Sequence, residues 1–347
     1  MIKVRVSKMV FEPKRVIFEQ DALQYPLGEE ILRFFRDKGT DISFTASHNR
    51  VASIPGRTRA EGYLEGKRTL VVGVRRTKAF ETCKPSAHFQ LPLATSCPGK
   101  CEYCYLLTNL GNKPYMRIYV NIEEILDAAQ RYIEKRRPAL TVFEGAATSD
   151  PVPAEPYTGA LKRVIGYFGG QELGRFRFVT KFTDVDPLLD AAHNGHTRFR
   201  FSINTFQVIR RFEHATPPLA GRLAAAEKVA RAGYPLGFLI APIIIAEGWK
   251  KDYKELFQTA AESLSGIASG VTFELITHRF TKRAKNTIQE VFPNTRLDLD
   301  EEARTFKFGQ FGYGKYVYPK ELLQEVNNYF NGLVADFFPG SRVEYFV

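Results

Sequence analysis

Six short runs of apolar or alternating residues punctuate the middle of the chain, at His88–Leu93, Ala139–Phe143, Arg175–Lys181, Thr197–Ile203, Leu236–Ile245 and Val271–Ile276. Runs of this length predict strands. Between them the period changes to that of a helix. In NIEEILDAAQRYIEKRR, residues 121–137, Ile122, Ile125, Leu126, Ala129, Tyr132 and Ile133 fall on one face, with Asn121 placed to cap the start. A second helix is predicted over Pro218–Ala232, with Pro at its start, an Ala-rich interior and Gly233 just beyond its end. Strands alternating with helices predict successive β/α units, because parallel neighbours need long crossover connections. The expected class is α/β with a partial (β/α)6 TIM-like barrel, a doubly wound open sheet being the alternative.

The flanks read differently. Ahead of the six runs lie a predicted strand near Val16–Glu19, a helix near Gly28–Lys38 and the apolar strand TLVVGVRR at Thr69–Arg76. After about Arg283, TFKFGQFGYGKYVY at Thr305–Tyr318 alternates aromatic and polar residues around glycines, the signature of a hairpin. A helix near Pro319–Phe337 and a strand near Arg342–Phe346 close the chain. Three segments are expected: an N-terminal α/β segment over 1–85, the partial barrel over 86–285 and a C-terminal extension with a β-hairpin over 286–347.

Composition adds bounds. With 347 residues and 44% hydrophobic content the chain can bury a large core. No apolar run approaches the ~18 residues of a membrane span, and MIKVRVSKMVFEPKR is too charged for a signal peptide, so a cytosolic protein without membrane attachment is expected. The net charge of +11 raises the odds of a polyanionic partner, against the alternative of a solvated basic surface.

Chemistry concentrates in one loop. Three of the four cysteines, Cys97, Cys101 and Cys104, lie within eight residues in CPGKCEYC. In a reducing compartment such clusters are metal or redox ligands more often than disulfides. They directly follow the first barrel strand, at the end where sites form in such folds. A structural zinc site wants four donors, yet Cys83 lies across a strand and His88 within it. Three thiolates suit a 4Fe-4S cluster with one iron open to an outside ligand.

A C-x3-C-x2-C run after the first strand of a partial barrel resembles the radical S-adenosylmethionine superfamily. CPGKCEYCYL, FEGAATSD, FVTKFTDVDPLL and FGYGKYVYP together resemble, more narrowly, the spore photoproduct lyase family over nearly the whole chain. The resemblance implies a DNA repair lyase whose open iron chelates S-adenosylmethionine. One electron then yields a 5'-deoxyadenosyl radical, which abstracts hydrogen from C6 of the thymine dimer lesion. The crosslink fragments and a returned hydrogen leaves two thymines. Implied partners are lesion-containing DNA and an electron donor of flavodoxin or ferredoxin type. A monomer is expected, in the cytoplasm of the spore core or germinating cell.

Strand ends supply the candidate site residues. Gly145 and Ala146 would let backbone approach the cofactor's methionine group, and Ser149 would donate to its polar atoms. Lys181 would pair with its carboxylate, or with Asp184 or Asp186 instead. Ser202 and Asn204 would bond ribose or methionine groups, or cap locally. Tyr103 and Tyr105 flank Cys104; the bland role is shielding the cluster, and the family's role is hydrogen return near the lesion. At Ala147 the family carries the cysteine proposed to return hydrogen, which a methyl group cannot do. Another donor or an altered protein would explain the difference; the second is the expectation, with lesion consumed and little clean thymine formed.

GQFGYGK at 309–315 matches a P-loop until Tyr316 replaces the magnesium-binding Ser or Thr. Instead, Phe311, Tyr313, Lys315 and Tyr316 suit a wedge against opened DNA, since a lesion inside a duplex must be extruded to reach a buried site. Arg57, Arg59, Lys67, Arg68, Arg279, Lys282 and Arg283 are candidates for a basic rim. The competing readings are another radical S-adenosylmethionine enzyme acting on RNA or protein, and a zinc-stabilised nucleic-acid binding module.

Overall fold

The computed structural model describes residues 11–46, 48, 51, 53–267, 270–308 and 314–347. Two compact units are present, residues 1–98 with 110–199 and residues 99–109 with 200–347. All six predicted strands form: β1 (Ala87–Gln90), β2 (Thr141–Glu144), β3 (Gly174–Thr180), β4 (Thr197–Ile203), β5 (Leu236–Ile243) and β6 (Thr272–Thr277). The closing strand β7 spans Arg342–Phe346. β4 begins in the first unit and ends in the second.

In the first unit β1 and β3 each pair in parallel with β2, Phe89 opposite Phe143 and Phe176 opposite Phe143. Parallel strands covered by helices are buried on both faces; in β3 the rings of Phe176 and Phe178 alternate with Arg175 and Arg177. Ring contacts run from Phe143 to Phe168, Phe176, Phe178 and Phe199, with centroids 4.4–5.6 Å apart. The helix Ile122–Arg136 buries Ile122, Ile125, Leu126, Ala129 and Ile133 as its period predicts. Asn121 does not cap it. Its amide instead holds the Arg75 backbone, Oδ1 accepting from Arg75 N at 2.8 Å and Nδ2 donating to Arg75 O at 3.0 Å.

The same unit contains a second sheet. Asp41–Thr45, Arg15–Glu19, Thr69–Gly73 and Met116–Tyr119 run parallel, and Ala94–Thr95 adds an antiparallel edge. Asp41–Thr45 and Met116–Tyr119 were not expected as strands. The second carries Arg117 at a buried position, where the guanidinium donates to His48 O at 2.5 Å and meets Glu19 at 3.4 Å.

In the second unit β5 pairs in parallel with β6, and β6 with β7. The helix Leu219–Arg231 forms as expected, with Gly233 at φ +83° past its end. Lys320–Phe337 supplies the predicted late helix, whose Phe330 packs on Phe257 in a cluster with Phe273 and Phe338. Among the described residues no helix is long and apolar enough to cross a membrane.

Candidate active site

In the first unit, the ends of β1 and β2 open on a cavity of about 190 Å³ lined by Glu81, Leu91, Ala94, Gly145, Ala147 and Thr148 among others. Gly145 is small for a packing reason: a Cβ there would lie 2.6 Å from Cζ of Phe176. Ala146 is buried and its N–H donates to Glu144 Oε1 at 3.0 Å. Ser149 is buried, and its hydroxyl has no hydrogen-bond partner among the described residues. A buried hydroxyl left so costs about 1–3 kcal/mol. An incoming polar ligand would remove that penalty, which fits the cofactor role expected of it.

Asp150 ties this loop to the end of β3. Its carboxylate accepts from Lys181 N at 2.9 Å, Thr180 Oγ1 at 3.0 Å and Val152 N at 3.3 Å. Burial outweighs these bonds and pushes its pKa up to about 6. Lys181, half-buried, is thereby fixed through its backbone. On the other side, Ser96 takes φ +64°, and its N–H donates to Thr148 O at 2.7 Å. Lys67 is buried and donates to Cys97 O at 2.8 Å. It therefore belongs under the cysteine loop and not to a basic rim.

In the second unit, Lys100–Cys101 pairs antiparallel with Glu213–His214. The chain turns where Cys104 N donates to Cys101 O at 3.2 Å, then enters the short helix Leu106–Asn109. Tyr103 is half-buried and donates its hydroxyl to Glu213 Oε1. Burial, then the Glu213 charge, pushes its phenol well above the usual tyrosine range. Glu213 pairs with Arg222 at 2.6 Å, both side chains fully buried. Tyr105 is 55% exposed. His214 bonds Glu102 at 2.7 Å.

Ser202 and Asn204 end β4 and are both buried. Arg222 donates to Ser202 O at 3.0 Å. Asn204 donates to Pro242 O at 2.8 Å and accepts from Thr205 N at 2.9 Å and Tyr253 OH at 3.2 Å. Local bonding thus occupies most of its amide and leaves one N–H without a partner among the described residues.

No three His, Cys, Asp or Glu side chains among the described residues form a single-ion site. A cubane does not require one, since each thiolate binds a different iron.

The hairpin pairs Thr305–Phe308 with Gly314–Val317. Phe311 and Tyr313 lie outside the described residues. Gly314–Val317 is a strand where a P-loop would need a helix. Lys315 sits opposite Lys307; burial, then Arg279 and Lys307, pushes its ammonium down. Tyr316 is half-buried; its ring packs on Phe280 and Phe306 at 5.4 and 5.3 Å, and its hydroxyl bonds Glu301. The exposed aromatics of the described hairpin are Phe306 and Phe308, at 50% and 75%. The alternation TFKF carried that signal.

The spore photoproduct lyase family model matches residues 11–347. The chain belongs to the spore photoproduct lyase family. Spore photoproduct lyase of Clostridium acetobutylicum is 51% identical over 334 residues, covering 96% of this chain and 98% of the relative. That of Bacillus subtilis (strain 168) is 50% identical over 337 residues, covering 97% and 98%. A solved spore photoproduct lyase complexed with dinucleoside spore photoproduct superposes with TM-score 0.95 at 53% identity, covering 97% of this chain and 99% of that one. A double mutant, one cysteine changed to alanine and one serine to cysteine, with bound AdoMet and dinucleoside spore photoproduct, matches at TM-score 0.95 and 54% identity. The α/β partial barrel is the fold of this chain.

Proposed function

We propose that this chain is a DNA repair lyase that reverses the spore photoproduct, 5-thyminyl-5,6-dihydrothymine, to two thymines. The full-length match to a spore photoproduct lyase complexed with the dinucleoside lesion carries this reading. When bound, a reduced 4Fe-4S cluster supplies the electron that splits S-adenosylmethionine into methionine and a 5'-deoxyadenosyl radical, the abstractor of the lesion's C6 hydrogen. Cys97, Cys101 and Cys104 would hold the cluster and leave one iron for the cofactor. Ser149 donates its orphaned hydroxyl to the methionine group, which Gly145 and Ala146 admit, and Lys181 meets the carboxylate. Ser202 and the remaining N–H of Asn204 serve the ribose. Tyr103 and Tyr105 stand near the lesion.

The barrel segment 86–285 carries this chemistry. Segment 1–85 supports it, and the hairpin of 286–347, with Phe311, Tyr313 and Lys315, contacts DNA. A flavodoxin or ferredoxin type donor supplies electrons. The protein acts as a monomer in the cytoplasm of the spore core or germinating cell.

Ala147 leaves hydrogen return open to two readings. In the first, lesion is consumed and clean thymine recovery is impaired. In the second, Cys83 returns the hydrogen. Cys83 lies two residues from Glu81, which lines the cavity with Ala147. The matched double mutant likewise lost one cysteine and gained another.

Product analysis with S-adenosylmethionine, reductant and lesion dinucleotide separates the two. The first reading expects thymine recovery below lesion loss, restored by Ala147→Cys. The second expects balanced recovery, lost in Cys83→Ser and regained in Cys83→Ser/Ala147→Cys. A cluster-loaded chain that neither forms 5'-deoxyadenosine nor consumes lesion overturns the function itself.

A further inference from the structure

The two residues between Cys101 and Cys104, Glu102 and Tyr103, reach two consecutive residues on the opposite strand. Tyr103 donates to Glu213, and Glu102 Oε1 meets Nε2 of His214 at 2.7 Å. Backbone pairing repeats the match, Cys101 opposite Glu213 and Lys100 opposite His214, with Glu102 N donating to Phe212 O at 2.9 Å. Thr295 donates its hydroxyl to the second oxygen of Glu102. Both spacer residues are thus committed to protein partners.

Behind Glu213 stands Arg222, whose position is over-determined. Its Nε donates to Pro217 O at 2.9 Å, Nη1 to Ser202 O at 3.0 Å and Nη2 to Thr216 Oγ1 at 2.9 Å, while Nη2 also pairs with Glu213 at 2.6 Å. An ion pair withdrawn from water in this way loses much of its Coulomb energy to desolvation, and well-packed apolar residues often stabilise as much. Its distinctive product is direction. A guanidinium fixed by hydrogen bonds to three other acceptors keeps its charge in one place beside the Glu213 carboxylate, and a carboxylate so held fixes the phenol that donates to it.

We infer that Glu213, clamped by Arg222, is a positioning residue for the cysteine loop, acting through Tyr103 to set Cys101 and Cys104. The inference rests on the cluster reading above. A rigid line runs from the end of β4 at Ser202 through Arg222, Glu213 and Tyr103 to the loop. Neither Glu213 nor Arg222 needs to touch cofactor or lesion for this role.

The test compares Tyr103→Phe, Glu213→Gln and their double variant with the parent, all anaerobically reconstituted. Both single changes are conservative in size and leave all three cysteines in place. Each should load iron and sulfide at the parental ratio, yet give a broadened electron paramagnetic resonance signal of the reduced cluster. Each should also form 5'-deoxyadenosine without lesion faster than the parent, by about tenfold if the whole charged hydrogen bond is felt. Because Glu213 acts through Tyr103, the double variant should be no worse than the worse single. Parental spectra in both singles, or effects that add in the double, overturn the inference.

Hydrogen exchange of the metal-free protein keeps the test separate from the cluster reading. Amides 100–104 should exchange faster in both singles, and parental exchange there overturns the inference even if no variant binds iron. Failure of the parent to load iron would sink the cluster reading while this comparison still decides the role of Glu213.

Discussion

Replacing Gly145 by alanine tests the wall of the cavity most sharply. The added methyl would sit 2.6 Å from Cζ and 2.7 Å from Cε2 of Phe176, and 3.6 Å from Cδ1 of Leu93. Only the last is an ordinary contact. Phe176 is 1% exposed and stacks at 5.4 Å on Phe168, so its ring has little room to retreat. Overpacking of this kind costs about 1–3 kcal/mol. Chemical denaturation of parent and Gly145→Ala should show a loss in that range. In Gly145→Ala/Phe176→Leu most of it should return, because the shorter side chain vacates the methyl's place. S-adenosylmethionine affinity separates packing from cofactor contact: it should recover in the double variant if Gly145 only accommodates Phe176. Parental stability in Gly145→Ala would refute the reasoning, since the ring would then yield without cost.

Three further outcomes are expected. Asp150 and Glu155 are pushed up by burial, from 3.8 to about 6 and from 4.5 to about 7. The folded state therefore keeps protons that the unfolded state releases, and the stability they lend is full below 3.8 and 4.5 and lost as pH rises through about 6 and about 7. Urea midpoints across that window should fall with pH, and Glu155→Gln should flatten the fall; an unchanged slope contradicts it. Lys315→Ala should weaken DNA binding and make the plot of log affinity against log salt shallower by about 1, one phosphate contact fewer. Substituting Cys97, Cys101 or Cys104 by alanine should each abolish the brown colour of the reconstituted protein, with iron content as the readout. Retained colour in any of the three would remove that thiol from the ligand set.

What the sequence revealed follows from range. β1 to β6 were legible because their apolar residues come in short runs or at strand spacing, as Phe176 and Phe178 or Phe199 and Phe201 do between arginines, and Gly233 marked a helix end because a left-handed turn follows there. Asp41–Thr45 was illegible because it is half exposed and its residues alternate with little contrast. Met116–Tyr119 was hidden by Arg117, whose burial depends on Glu19 and His48 far away in sequence. Asn121 shows the same limit within a correct element: an amide beside a helix start can cap or can clamp a neighbouring backbone, and only the location of Arg75 decides. The cysteine triad could be read since its spacing is its chemistry. Glu213 and Arg222 could not, being distant in sequence from Tyr103. Tyr316 lies directly opposite the exposed Phe306, and its ring also packs on Phe280, a contact from a distant segment that the alternation alone does not show.

Reconstituted under anaerobic conditions and supplied with reductant, S-adenosylmethionine and dinucleoside spore photoproduct, the protein should carry four irons per chain if the cubane is complete. It should form 5'-deoxyadenosine and consume the lesion, whatever thiol returns the hydrogen. Full iron loading with neither 5'-deoxyadenosine nor lesion loss would contradict the account at its centre.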